Sequence, residues 1–217
     1  MRARLADERG FTLVELLAAL VVGSIVLFAG FGLLDTAVRL QARSVDSLDA
    51  TDRGRVAIDQ ISQSLAARLC LGGLPSLVDG RDDRVEFFAS AARESGPVSI
   101  VVQRRRLSVI SAGIREEIWT GSPPLAPPDL PPASTTTPTS TRTIVSGVRP
   151  SGATPIFRYY AYTGTPARPT LALATPLSAG DLARVALIDV GFVAQGKRTD
   201  VATDYSDEIL ARSQTCL

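Results

Sequence analysis

An α+β fold is predicted for this chain: a long N-terminal helix, its first half able to span a membrane, packed on a C-terminal antiparallel β-sheet head. Three observations predict it. Residues 11–34 are a predominantly apolar run with a single charge, Glu15. Residues 35–69 hold no proline and place apolar side chains at helical spacing. Beyond Pro75 the sequence breaks into short runs rich in β-branched and aromatic residues.

The first ten residues, MRARLADERG, set Arg2, Arg4 and Arg9 against Asp7 and Glu8. The small positive excess keeps this end cytoplasmic and places the rest of the chain outside. At about 1.5 Å per residue, a helix over 11–34 spans roughly 36 Å, enough for a bilayer core. A buried soluble helix of that length would show a polar face. A secretory signal peptide would have a shorter apolar run ending in a small-residue cleavage site. Glu15 stands out, because a carboxylate in an apolar helix is costly without a partner. Two explanations fit it: it reaches water at the interface, or it pairs with a positive group on a neighbouring chain.

The run Arg9-Gly10-Phe11-Thr12-Leu13-Val14-Glu15-Leu16-Leu17 resembles the N-terminal signal of type IV prepilins and pseudopilins. The resemblance implies a pilin-like fold and cleavage after Gly10 by a prepilin peptidase. It also implies N-methylation of the new terminus, Phe11, and a salt bridge from Glu15 to the N-terminus of an adjacent subunit during assembly. Partners implied are the peptidase, other pilin or pseudopilin subunits, an inner-membrane assembly platform and the lipid bilayer. Residues 1–10 are then a leader peptide and 11–34 a transmembrane and assembly helix. The chemistry is consistent: a glycine lets a peptidase approach the backbone, and an unpaired carboxylate in a dry filament core is penalised until it finds a partner.

Residues 35–71 form the soluble half of the same helix. Ile58, Ile61, Leu65 and Leu69 make a narrow apolar stripe that suits docking on a sheet. Gly54 is a candidate bend. The helix is expected to end near Leu71-Gly72-Gly73, since glycine favours that position. From Phe11 to Leu69 it would run roughly 85–90 Å, and its upper part needs a sheet for support.

Residues 72–217 form the head. Strands are predicted at Arg84–Ser90, Val98–Gln103, Leu107–Ala112, Ile114–Thr120, Ile156–Thr163 and Arg184–Ala194. Their short connections favour antiparallel hairpins. Residues 121–143 hold seven of the chain's 14 prolines and read as an exposed extended loop. The runs Pro155–Tyr160 and Ala183–Val193 are similar to strands of the J-type minor pseudopilins of type II secretion. That resemblance implies a place near a filament tip.

Composition excludes several chemistries. Histidine is absent, which removes the usual general base, proton shuttle and metal ligand. No nucleophile motif is present, so no enzyme is expected. The two cysteines, Cys70 and Cys216, cannot build a four-ligand zinc site. In an exported domain an even count suggests one disulfide, with two free thiols as the alternative. Arg104-Arg105-Arg106 falls between two strand-like runs and reads as a solvated hairpin turn. A net charge of +1 and no interleaved aromatics argue against nucleic acid as its partner. Asp200, Asp204, Asp207 and Glu208 read as a solvated acidic loop. Their spacing is not that of a calcium loop, so calcium is a minor alternative and no cofactor is expected. The pairs Asp82-Asp83 and Glu116-Glu117 make poor acid/base partners, since neighbours on a strand face opposite ways, and they read as surface charge.

Two functional readings follow. One is a minor pilin or pseudopilin that assembles into a secretion, pilus or DNA-uptake filament. The other is an uncleaved, single-span, membrane-anchored binding protein with its head outside. Gly10, Phe11 and Glu15 separate them, because a plain anchor has no use for a carboxylate at that spacing.

Overall fold

A computed structural model of the protein describes residues 12–70, 74–91, 101–120, 136–163, 169–196 and 202–210. It has the expected α+β, pilin-like layout: one long apolar N-terminal helix packed against antiparallel sheets. The helix, α1, spans Leu13–Ala66. By its contacts the chain divides into Met1–Val45 and Asp46–Leu217.

In the first unit the apolar side chains are exposed, from Leu13 at 74% to Leu34 at 63%. This helix is long and apolar enough to cross a membrane by length and composition. The Ser24 hydroxyl donates to Leu20 O at 2.7 Å, so the span satisfies that polar group internally, as a bilayer requires.

In the second unit α1 buries one stripe: Asp46, Ala50, Gly54, Ala57, Ile61, Ser64 and Leu65. The predicted Ile61 and Leu65 belong to it, and Ile58 packs partly buried beside it. Small residues dominate its N-terminal end and let the backbone approach the head closely. The helix runs unbroken through Gly54. A Cβ on Gly54 would lie 2.1 Å from a ring carbon of Tyr205. That ring is fixed by its hydroxyl, which donates to Thr51 O at 2.8 Å, and by Phe192, 5.8 Å away between centroids. Gly54→Ala is therefore expected to unseat Tyr205 and destabilise the head by about 1–3 kcal/mol. An unchanged melting temperature would show that the ring does not occupy this slot.

The helix stops at Ala66, short of the expected glycines. The next residues bond to a strand instead: Leu69 N–H to Phe88 O and Ser90 N–H to Ala67 O. Arg68 Nε donates back to Leu65 O at 2.7 Å, which satisfies a carbonyl that the helix end leaves open. Burial pulls the Arg68 guanidinium down to about 10. Gly72 and Gly73 lie outside the described residues.

Two antiparallel sheets follow among the described residues. The first is ordered β1 (Leu77–Gly80), β2 (Arg84–Ala91), β3 (Val101–Ile110), β4 (Gly113–Thr120) and β5 (Ser140–Ser146). β6 (Val148–Arg149), β7 (Phe157–Ala161) and β8 (Leu171–Leu173) come next, then a short helix α2 (Ala179–Leu182), β9 (Leu187–Gln195) and β10 (Ala202–Leu210). The second sheet is ordered β10-β9-β7-β8, and β6 also pairs with β9. Ile61 and Leu65 of α1 share one core with Phe87, Leu107, Ile114, Phe157, Ile188 and Phe192. The buried Tyr159 hydroxyl joins the sheets, its one proton shared between Arg81 O and Arg84 O, each at 3.1 Å.

Four expectations are corrected. Arg104-Arg105-Arg106 is no turn but the middle of one continuous strand, paired with β2 and β4 on both sides. Carboxylates on the adjacent strands make this possible. The end of the proline-rich segment is β5, which pairs with β4; residues 121–135 lie outside the described residues. The acidic stretch forms β10, held along its length by β9. The predicted strand start at Arg184 moves to Leu187, because the Arg184 N–H donates to Asp181 O at 2.9 Å in the turn that ends α2.

Candidate functional site

Two groups of polar side chains stand out, one at the start of α1 and one between its soluble half and the first sheet. At the start, Thr12 and Glu15 bond reciprocally. Glu15 Oε2 accepts from the Thr12 N–H and from the Thr12 hydroxyl, both at 3.0 Å, and the Glu15 N–H donates to Thr12 Oγ1 at 3.3 Å. This is a capping box, in which a threonine and a glutamate three residues on satisfy orphan donors of the first turn. The signal is legible in the Thr-x-x-Glu spacing of Thr12-Leu13-Val14-Glu15. Glu15 thus has an intrachain role before any neighbour arrives. Gly10 and Phe11 lie outside the described residues.

The second group locks helix to sheet. Glu116 is fully buried, at 0% exposure, which corrects its reading as surface charge. Its Oε1 accepts from the Ser64 hydroxyl at 2.7 Å and its Oε2 from Arg142 Nε at 2.6 Å. Arg105 Nη1 lies 3.6 Å from the same carboxylate and donates to Ser64 Oγ at 3.3 Å. Burial lowers the Arg105 pKa, and the Glu116 charge opposes that shift. Alternation explains the placement: Ile114, Glu116 and Ile118 share the face of β4 that meets the core, whereas Glu117 points the other way.

On that other face, guanidiniums lie over rings from neighbouring strands. Arg104 sits 5.3 Å from the Phe88 centroid and Arg106 5.1 Å from that of Trp119. Aromatic interleaving is therefore present across strands, where a linear reading does not find it. Phe88 and Trp119 are buried, so they offer no stacking platform to bases.

The acidic residues of β10 do not converge. Asp204 accepts from the Ser151 hydroxyl at 2.9 Å, and Asp207 accepts from Ser62 on α1. Three positions apart on a strand, they face opposite sides. Asp200 and Cys216 lie outside the described residues, so neither a calcium set including Asp200 nor the Cys70–Cys216 pair is described.

Residues 5–31 match the family model described as the prokaryotic N-terminal methylation motif. No curated protein matches the chain, and no solved structure matches it. The motif, set on an exposed apolar helix, supports the type IV pilin and pseudopilin family and a pilin-like, membrane-anchored protein.

Proposed function

We propose that the protein is a minor pilin or pseudopilin, a structural subunit and not an enzyme. It is cut after Gly10 by a prepilin peptidase, N-methylated on Phe11 and built into a type IV filament-like assembly. The observation that carries this reading is the methylation motif over residues 5–31, continuous with a helix apolar enough to cross a membrane. The chain enters the bilayer with its N-terminus cytoplasmic and its head outside, and meets the peptidase, an inner-membrane assembly platform and other subunits there. Glu15 then pairs in trans with a neighbour's terminal amine, which favours subunit addition in a dry core. The strand resemblance supports a role as a J-type minor subunit of type II secretion. Export also favours a Cys70–Cys216 disulfide, which would tie the C-terminal tail to the end of α1. The proposal invokes no cofactor.

Intact mass and N-terminal sequencing of the protein from its native membranes test this. We expect a chain that begins at Phe11, one methyl group heavier than the bare peptide and two hydrogens lighter than the dithiol. A chain that still begins at Met1 beside an active peptidase would make residues 11–34 a simple anchor and the head a ligand-binding domain.

A further inference from the structure

The face of the first sheet turned away from α1 carries its side chains in rows across β2, β3 and β4. One row is Arg84–Ser108–Arg115, the next Glu86–Arg106–Glu117, and the third Phe88–Arg104–Trp119. The ion pairs within this face are unevenly shared. Asp79 accepts from Arg81 and Arg84. Glu86 accepts from Arg104 and Arg106, and Glu117 from Arg106 and Arg115. Five guanidiniums thus share three carboxylates, and Asp83, exposed at the rim, adds one more.

The first row borders a pocket of about 250 Å³, lined by Arg81, Arg84, Arg106, Ser108 and Arg115 with Asp83 and Glu117. Two polar atoms of that lining, Ser108 Oγ and Arg115 Nε, are buried with no hydrogen-bond partner. A buried donor without an acceptor is destabilising and calls for a partner. Here both belong to one pocket with a surplus of arginine donors, and arginine forks match planar or tetrahedral oxyanions. The volume suits one small group and no extended ligand.

We propose that this pocket is an oxyanion site, taking a single carboxylate or phosphate group between Arg84 and Arg115 above Ser108. The group accepts from the Ser108 hydroxyl and the Arg115 guanidinium, and Arg106 balances its charge. The site lies in the head, and the inference neither uses nor requires processing at Gly10.

The chain carries its own reporter. Trp119 is its only tryptophan and lies against Arg106, so its emission responds to charge arriving beside that guanidinium. The full-length protein in nonionic detergent would be titrated with sodium phosphate and, separately, with sodium acetate. Sodium chloride at matched ionic strength is the reference. We expect a saturable change in Trp119 emission with an oxyanion and none with chloride. Ser108→Ala and Arg115→Gln, each first shown to melt as the native protein does, should weaken apparent affinity about tenfold. Saturation by acetate identifies a carboxylate, the group that a protein partner supplies, and saturation by phosphate alone identifies a phosphoryl group. The site is refuted if chloride reproduces the change, if neither oxyanion saturates, or if both variants respond as the native chain does.

Discussion

Glu116→Ala is expected to destabilise the head by about 3–5 kcal/mol, since it removes the acceptor from a buried ion pair and leaves a charge behind. Arg105 would keep its guanidinium 17% exposed without the facing carboxylate, and Ser64 on α1 would lose its acceptor. For a head of this size the melting temperature should fall by roughly 10 °C or more. Glu116→Gln separates two contributions. It keeps one acceptor for the Ser64 hydroxyl but loses the charge and the oxygen that accepts from Arg142, so its loss should still be smaller than that of Glu116→Ala. Thermal melts followed by circular dichroism would show both. A Glu116→Ala protein that melts within a degree or two of the native one would mean that the helix is seated by apolar contacts alone.

The second large effect concerns Glu15, for which the capping box sharpens the design of the experiment. Glu15→Ala removes the charge and the cap together, whereas Glu15→Gln removes the charge and keeps a residue that can complete the box. Under the proposed function both variants should still be cut after Gly10, and both should enter filaments severalfold less well than the native chain. The comparison would be made by quantitative blotting of sheared filament fractions against membrane fractions. Should Glu15→Gln assemble normally while Glu15→Ala fails, the glutamate would act by starting the helix. Normal assembly of both would remove it from the assembly step.

Much of this fold is legible in the sequence because its signals are local. The apolar run, the helical stripe at Ile61 and Leu65, and strands such as Arg84–Ser90 and Ile114–Thr120 follow from periodicity alone. What escapes is decided by partners distant in the chain. Arg104-Arg105-Arg106 reads as a turn until Glu86, Glu116 and Glu117 are brought beside it on both flanking strands. Asp207 reads as solvated until Ser62 on α1 faces it. Gly54 reads as a candidate bend, and its packing role shows only once the Tyr205 ring fills the space above it. Glu116 and the capping box are different cases. Strand alternation and the Thr-x-x-Glu spacing signal them in the sequence.

The seating of α1 on the head also has a mechanical consequence. Arg53 Nη2 donates to Gln195 O at 3.1 Å, the Tyr205 hydroxyl bonds to Thr51 O, Ser62 bonds to Asp207 and Ser64 to Glu116. All four attachments sit on one continuous rod of hydrogen-bonded backbone. Tension applied along that rod loads them in parallel, as shear, so the pull is shared among them. A subunit held in a membrane or filament by its N-terminal helix would therefore pass a pull to both sheets at once, and its head should resist extraction better than any single contact suggests.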